Sequence, residues 1–191
     1  MRRRVVQLAV LAGFAALAWA CAEPPSKELH EAQGAIDTAR AAGAEEYAAT
    51  DLEAAQTALK QAQGAVAERD YRLALSEALE ARQSAQRAAR TAADEKARAR
   101  SEAERALADL TITITQTEAH LKTLRTVRAA ARTVRAADAT VADVNRVVQE
   151  ARTALAHQRY LAARETLKGQ LDRMKRLSAE LNAPVTARRR R

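Results

Sequence analysis

Aromatic side chains are nearly missing from this chain: 191 residues hold one Trp, one Phe and three Tyr. A core without large rings buries little area per residue, so it is expected to be thin and lined by alanine, with long, closely packed helices. Proline stands only at 24, 25 and 184, and glycine occurs five times, so nothing between Ser26 and Ala183 forbids helix. The motifs of common chemistries are missing too. His30, His120 and His157 are far apart, and none stands in a Glu-x-x-His or His-x-x-x-His spacing that would build a helical metal site. His30-Glu31 opens like a zinc-protease motif, but Gly34 stands where the second His belongs. There is no Gly-rich phosphate loop and no G-x-S-x-G elbow. No catalytic residue, metal ligand or cofactor is assigned, and the chain reads as a non-enzyme. Glu45-Glu46 reads as a solvated pair, and the tyrosines read as packing residues.

What is present begins with Met1-Arg2-Arg3-Arg4 and an apolar run from Val5 to Ala20, broken only by Gln7 and Gly13. A positive cluster, a short apolar stretch and a small-x-small ending, here Ala18-Trp19-Ala20, are the parts of a secretory signal peptide. A membrane-spanning helix needs about 20 apolar residues, more than this run supplies. Cleavage after Ala20 would make Cys21 the first mature residue.

Cys21 is the only cysteine. An exported lone cysteine has no intrachain disulfide partner and needs another explanation. Two readings fit. The ordinary A-x-A cut leaves a free thiol. Alternatively, the segment resembles a bacterial lipobox, whose cysteine is lipidated before cleavage, although Leu17 stands four residues before Cys21 rather than the usual three and Trp19 is bulky. The position of the sole cysteine favours lipidation. Cys21 is then an attachment point whose acyl chains contribute about 0.8 kcal/mol per buried CH₂. Under the sorting rules of lipoproteins an Asp at 22 would favour the inner membrane; Ala22 leans the expectation to the outer one. The protein is expected to be exported and lipid-anchored at the periplasmic face.

The formal charge of +8 falls to +5 once residues 1–20 are removed. Residues 21–120 hold 12 Lys/Arg against 18 Asp/Glu, whereas residues 121–191 hold 17 against 6. Such asymmetry suggests an acidic half folding onto a basic half, or a basic end facing an anionic partner.

The fold class expected is all-α: elongated Ala-rich helical hairpins, or a coiled-coil-like bundle, with one long helix. After a spacer over 21–25, Ser26 caps a first helix that stops at Gly43. Thr50-Asp51-Leu52-Glu53 reads as a capping box, followed by an apolar face through Leu52, Ala55, Leu59, Ala62 and Val66. Glu68-Arg69-Asp70 interrupts the phase, and Tyr71 opens a helix that would span roughly 100 Å if it ran unbroken to Ala136. Within it Thr111-Ile112-Thr113-Ile114-Thr115 alternates like a strand, but five residues without sheet partners read as a β-branched patch of helix. A second break is expected at Ala137-Asp138-Ala139-Thr140, with Thr140 and Asp143 at capping-box spacing. Val141, Val144, Val148, Ala151 and Leu155 then share a face, and a last helix follows His157-Gln158 to Asn182. The domains expected are therefore a hairpin with the long helix over 26–136, a second hairpin over 137–183, and a basic tail over 184–191.

The stretch from Leu59 to Ala74 aligns with that from Val148 to Ala163 at an offset of 89, matching the alanines, the apolar pairs and Tyr71 with Tyr160. Each copy reads as helix, tight turn, helix, with the ring closing an alanine seam. True duplication and chance alignment of Ala-rich heptads both remain open.

Ala39-Arg40-Ala41-Ala42-Gly43-Ala44-Glu45-Glu46-Tyr47-Ala48, then Asp51-Leu52-Glu53-Ala54-Ala55, then Asp70-Tyr71-Arg72-Leu73-Ala74 carry a further likeness. They resemble the helical domain of unknown function 4398 of bacterial envelope lipoproteins, whose pattern runs A-x-x-A-G-A-x-x-Y-A, D/E-L-x-x-A and D-Y-x-x-A. The likeness covers about residues 28–92. It implies an α-helical, exported, often lipid-anchored protein and supplies no catalytic residues. Some members carry a peptidoglycan-binding domain after this unit; none is visible here.

One charge pattern has binding content. Arg125, Arg128, Arg132 and Arg135 recur at 3-4-3 spacing and would form one stripe of a helix. They read either as a solvated face paired with acids of the first half, or as a contact surface for anionic lipid or polysaccharide, to which Arg188, Arg189, Arg190 and Arg191 would add attraction. Nucleic acid is not expected, because export separates the two and no aromatics interleave for base stacking. The expected role is structural or scaffolding, with the membrane, other envelope proteins or a second copy as partners. The alternative is a binding module for anionic lipid or polysaccharide.

Overall fold

A computed structural model describes residues 23–126 and 131–183. The described residues form seven helices: α1 (Ser26–Ala41), α2 (Ala44–Tyr47), α3 (Ala49–Ala67), α4 (Tyr71–Leu124), α5 (Ala131–Ala156), α6 (Tyr160–Leu167) and α7 (Gln170–Asn182). They are all helix and turn, with no strand among them, and the Thr111–Thr115 patch lies inside α4. The hydroxyls of Thr111, Thr113, Thr115 and Thr117 each donate to the carbonyl four residues back, so the β-branched run stays satisfied without a sheet partner.

The chain divides into two compact units between Ala93 and Asp94, inside α4, not near residue 136. The first unit packs α1, α3 and the start of α4. Ten of the thirteen buried residues in its main cluster are alanine, joined by Ile36, Leu52 and Leu59. Such a seam brings helix axes to the short end of the usual 8–10 Å range. Polar bonds set the register: Arg82 of α4 binds Glu31 of α1, and Thr91 of α4 donates to Asp51 of α3 at 3.1 Å. α3 is joined to α1 by the short 42–48 segment and to α4 by the 68–70 turn and packs against both, so α1 runs parallel to α4, with residue 31 beside residue 82.

The second unit packs the rest of α4 against α5, α6 and α7. Its main cluster has only two alanines among twelve residues; Val134, Val141, Val144, Val148, Leu110, Leu121, Met174 and Leu181 supply its bulk. The thin alanine core expected for the whole chain therefore describes the first unit and, in the second, only the small cluster of Ala103, Ala154 and Ala163.

The offset of 89 is a repeat of structure. Glu68-Arg69-Asp70 and His157-Gln158-Arg159 make the same turn, hydrogen bond for hydrogen bond. The Asp70 N–H donates to the Ala65 carbonyl and the Arg69 N–H to that of Val66; the Arg159 N–H donates to Ala154 and the Gln158 N–H to Leu155. This is a Schellman closure, and its left-handed position is filled without glycine: Arg69 has φ 64° and Gln158 has φ 58°. Buried positions correspond along the whole hairpin, from Ala48 and Ala137 through Ala55 and Val144 to Ala85 and Met174 and on to Ala92 and Leu181. The third helix repeats at a different offset, 78, where Ala32, Ile36 and Ala39 match Leu110, Ile114 and Thr117, all buried. Each unit is thus one helix followed by a hairpin.

Several local expectations change. α1 begins after Pro25, and α3 after Ala48, with no side-chain cap at either, so neither Ser26 nor Thr50 caps. Asp70 does cap α4, accepting the Leu73 N–H at 2.9 Å. α4 stops at Leu124 rather than running to Ala136, with the Thr126 hydroxyl donating to the Thr123 carbonyl just past its end. The break expected at 137–140 lies inside α5, where Val134, Ala137, Val141 and Val144 continue one 3-4-3 seam. Thr140 donates to Ala136 rather than capping, and the last helix is cut at Lys168-Gly169, where Gly169 takes φ +73°. Gly43 takes φ +92° where a helix stop was expected.

A non-glycine residue at a left-handed helix end is strained by roughly 1 kcal/mol or more. Arg69→Gly and Gln158→Gly should therefore each raise stability by about 1 kcal/mol, additively because they lie in different units. Urea denaturation of the two single variants and the double variant measures this; midpoints at or below the parent's would show that the turns carry no strain.

Candidate functional site

The four arginines at 3-4-3 spacing do not share one helix. Arg125 lies in the turn that follows α4, while Arg132 and Arg135 lie on α5, both exposed. Arg128 lies outside the described residues, as do Ala20, Cys21 and Arg188 to Arg191. The helix end at Leu124 breaks the stripe because α5 must turn back for Val134 and Val141 to meet Leu121 and Ile114 in one core. The sequence spacing did not show this, since no Gly or Pro marks the turn.

Arg125 is engaged from α5: its guanidinium donates to Asp138 at 2.8 Å. Beside it an open, shallow groove between α4 and α5 is lined by Glu118, Lys122, Asp138 and Asn145, with Asn145 donating to Glu118 at 3.3 Å. Lys122, Arg132 and Arg135 form no ion pair among the described residues. This end of the second unit therefore presents exposed cations with one paired guanidinium.

A second polar cluster, which the sequence reading did not identify as a site, joins α5 to α7. Asp143 accepts from Arg173 of α7 at 2.8 Å and from Arg146 one turn along α5. The Arg173 hydrogen bond, helped by the Arg146 charge, holds the Asp143 carboxyl below its ordinary value. Another ion pair, Arg164 with Glu102 at 3.0 Å, ties α6 to α4. Arg125, Arg146, Arg164 and Arg173 thus find carboxylates within their own unit. Counted by unit over the same residues 21–191, the charge is somewhat more even: residues 21–93 hold 8 Lys/Arg against 12 Asp/Glu, and residues 94–191 hold 21 against 12.

His30 and His157 are exposed and His120 is half-buried, each on a different element. Among the described residues no three His, Cys, Asp or Glu side chains are grouped to hold an ion. No helix among them is long and apolar enough to cross a membrane.

Because the Asp143 pKa is depressed on folding, its contribution to stability is present above the ordinary aspartate value of 3.8 and is lost as pH falls through the lower folded value. The stability gap between the parent and Asp143→Asn should hold constant near neutral pH and close in the acid range below 3.8. Urea midpoints of both proteins across that range test this; a gap that persists in acid would assign the loss to packing.

No curated protein and no solved structure matches the chain. Residues 27–105, which span the first unit and the opening of the second, match the family described as Domain of unknown function (DUF4398), so this segment resembles that helical family.

Proposed function

We propose that this protein is a lipid-anchored helical scaffold of the bacterial cell envelope, held to the periplasmic face of a membrane, with the outer membrane favoured, through Cys21. The observation that carries the reading is the placement of the only cysteine directly after a positive, then apolar, then small-x-small start. Support comes from the likeness of residues 27–105 to the helical family. The form of the two units also agrees with a scaffold. Their described surfaces offer open, shallow grooves and long helix faces, suited to partner helices rather than to enclosing a small substrate.

Intact mass and membrane fractionation of the natively expressed protein, beside Cys21→Ser, test the anchor. The expected mass exceeds that of the chain from residue 21 by acyl groups, and both the excess and the membrane association are lost in the variant. A bare chain in the soluble fraction would remove the anchor reading.

A second reading is favoured by Lys122, Arg132 and Arg135, exposed and without an ion pair among the described residues: this end of the second unit binds anionic lipid or polysaccharide. Arg132→Glu with Arg135→Glu should then weaken binding to anionic vesicles, and added salt should weaken it in the parent. If the parent shows no salt-sensitive binding, the scaffold reading stands alone.

A further inference from the structure

The two units differ at one end of their hairpins, and the difference points to a membrane-facing surface. In the second unit the helix beside the hairpin extends well past its first matched position. Ala99 and Ala103 are buried there, and Glu102 reaches Arg164 next to the 157–159 turn. In the first unit the same helix starts only at Ser26, because Glu23, Pro24 and Pro25 are not helical. The hairpin position equivalent to Arg164 is Leu75, and the one equivalent to Lys168 is Leu79. Where the second unit carries cations, one of them paired to the covering helix, the first carries leucines that are 39% and 40% exposed.

These leucines lie beside the place where the chain enters α1. With α1 parallel to α4, the Glu31–Arg82 pair sets the register that brings Pro24 and Pro25 level with residues 75 and 76. Leu75 and Leu79 fall on the Arg82 side of α4, toward α1, whereas Thr91 faces Asp51 of α3 on the other side. Pro25 is buried, and its carbonyl accepts the Leu29 N–H, so the entry point is fixed to the unit. Cys21 is four residues ahead of Pro25, a chain length of about 14 Å at most.

We propose that Leu75 and Leu79 rest in the lipid surface to which Cys21 tethers the chain, so that the end of the α3–α4 hairpin faces the membrane and the Gly43 end of the first unit faces away. This rests on the lipid-anchor reading. Leu75 and Leu79, with the exposed Leu73 nearby on another side of α4, stand beside mixed charges (Glu68, Arg69, Asp70 and Arg72) and are too small an apolar surface to bind a bilayer alone. Close tethering raises their effective concentration at the lipid surface, and contact then follows without a large patch. The same tether explains why leucines are tolerated at exposed positions on this hairpin end: a surface held against lipid is not open to water.

The test uses the acylated full chain, in which Cys21 is blocked and an introduced cysteine is the only free thiol. Leu79→Cys, Leu75→Cys and, as the far-end comparison, Glu46→Cys are labelled with an environment-sensitive fluorophore. The proteins are then reconstituted in vesicles of phosphatidylethanolamine and phosphatidylglycerol. A nitroxide carried on the lipid should quench the labels at 75 and 79 about twofold or more and leave the label at 46 unchanged, as expected for interfacial burial. If the acylated protein floats with the vesicles but the labels at 75 and 79 remain as bright as that at 46, the surface proposal fails and the anchor stands. Labels shielded from aqueous iodide but not reached by the lipid quencher would mean a protein contact, and would also overturn it. A chain without acyl mass that stays off the vesicles would overturn both.

Discussion

The close approach of helices across alanine holds the first unit together, and most of its other features follow from that constraint. An alanine brings one methyl to the seam, worth about 0.8 kcal/mol if fully buried, so stability has to come from many such positions in long register. Ala32 and Ala39 of α1, Ala55 and Ala58 of α3, and Ala81, Ala85, Ala88 and Ala92 of α4 form that run. A seam of nearly identical small residues resists sliding poorly, because a shifted register offers similar contacts. Larger and polar groups supply the discrimination: Ile36, Leu52 and Leu59 fill defined places, and the Glu31–Arg82 and Asp51–Thr91 bonds hold the three helices to one alignment.

The second unit solves the same geometry with other residues. Val144 stands for Ala55, Met174 for Ala85, and Leu181 for Ala92, while the turn at 157–159 keeps every backbone hydrogen bond of its counterpart. The backbone pattern persists because the turn is defined by which amides reach which carbonyls, and side chains hardly enter that requirement. Core identity is freer, since a seam of valine, leucine and methionine needs only wider helix spacing. The family likeness covers residues 27–105, while the second unit repeats the fold of the first with different core residues. The same freedom allows one copy to break its last helix at Gly169 while the other runs on through α4.

Charge follows the units. The acidic and basic halves read along the sequence become a mildly acidic first unit and a basic second unit once the boundary is placed at Ala93 and Asp94. Within the second unit Asp138, Asp143 and Glu102 each take an arginine from a different helix or turn, so those ion pairs serve packing as much as binding. They are exposed, and such pairs are individually weak; their use is to orient helices whose apolar faces already meet. Among the described cations without an ion pair, Lys122, Arg132 and Arg135 flank the segment that joins α4 to α5.

The sequence determined the helical class, the stop at Gly43, the interruption at Glu68-Arg69-Asp70, the start at Tyr71, and the apolar face through Val141, Val144 and Val148. Each of these depends on a residue's own backbone preference or on spacing along one helix. Gly169 was a further legible signal, a glycine inside a helical pattern, and it marks the α6–α7 break. The end of α4 was not legible: Leu124 to Ala131 contains no breaker, and helix would be locally acceptable there. Only tertiary packing decides it, because the Val134–Val148 face must fold back onto Leu110, Ile114 and Leu121 to leave water. The same turn separates Arg125 from Arg132 and Arg135, so the make-up of the basic surface was settled by burial of the apolar face behind it.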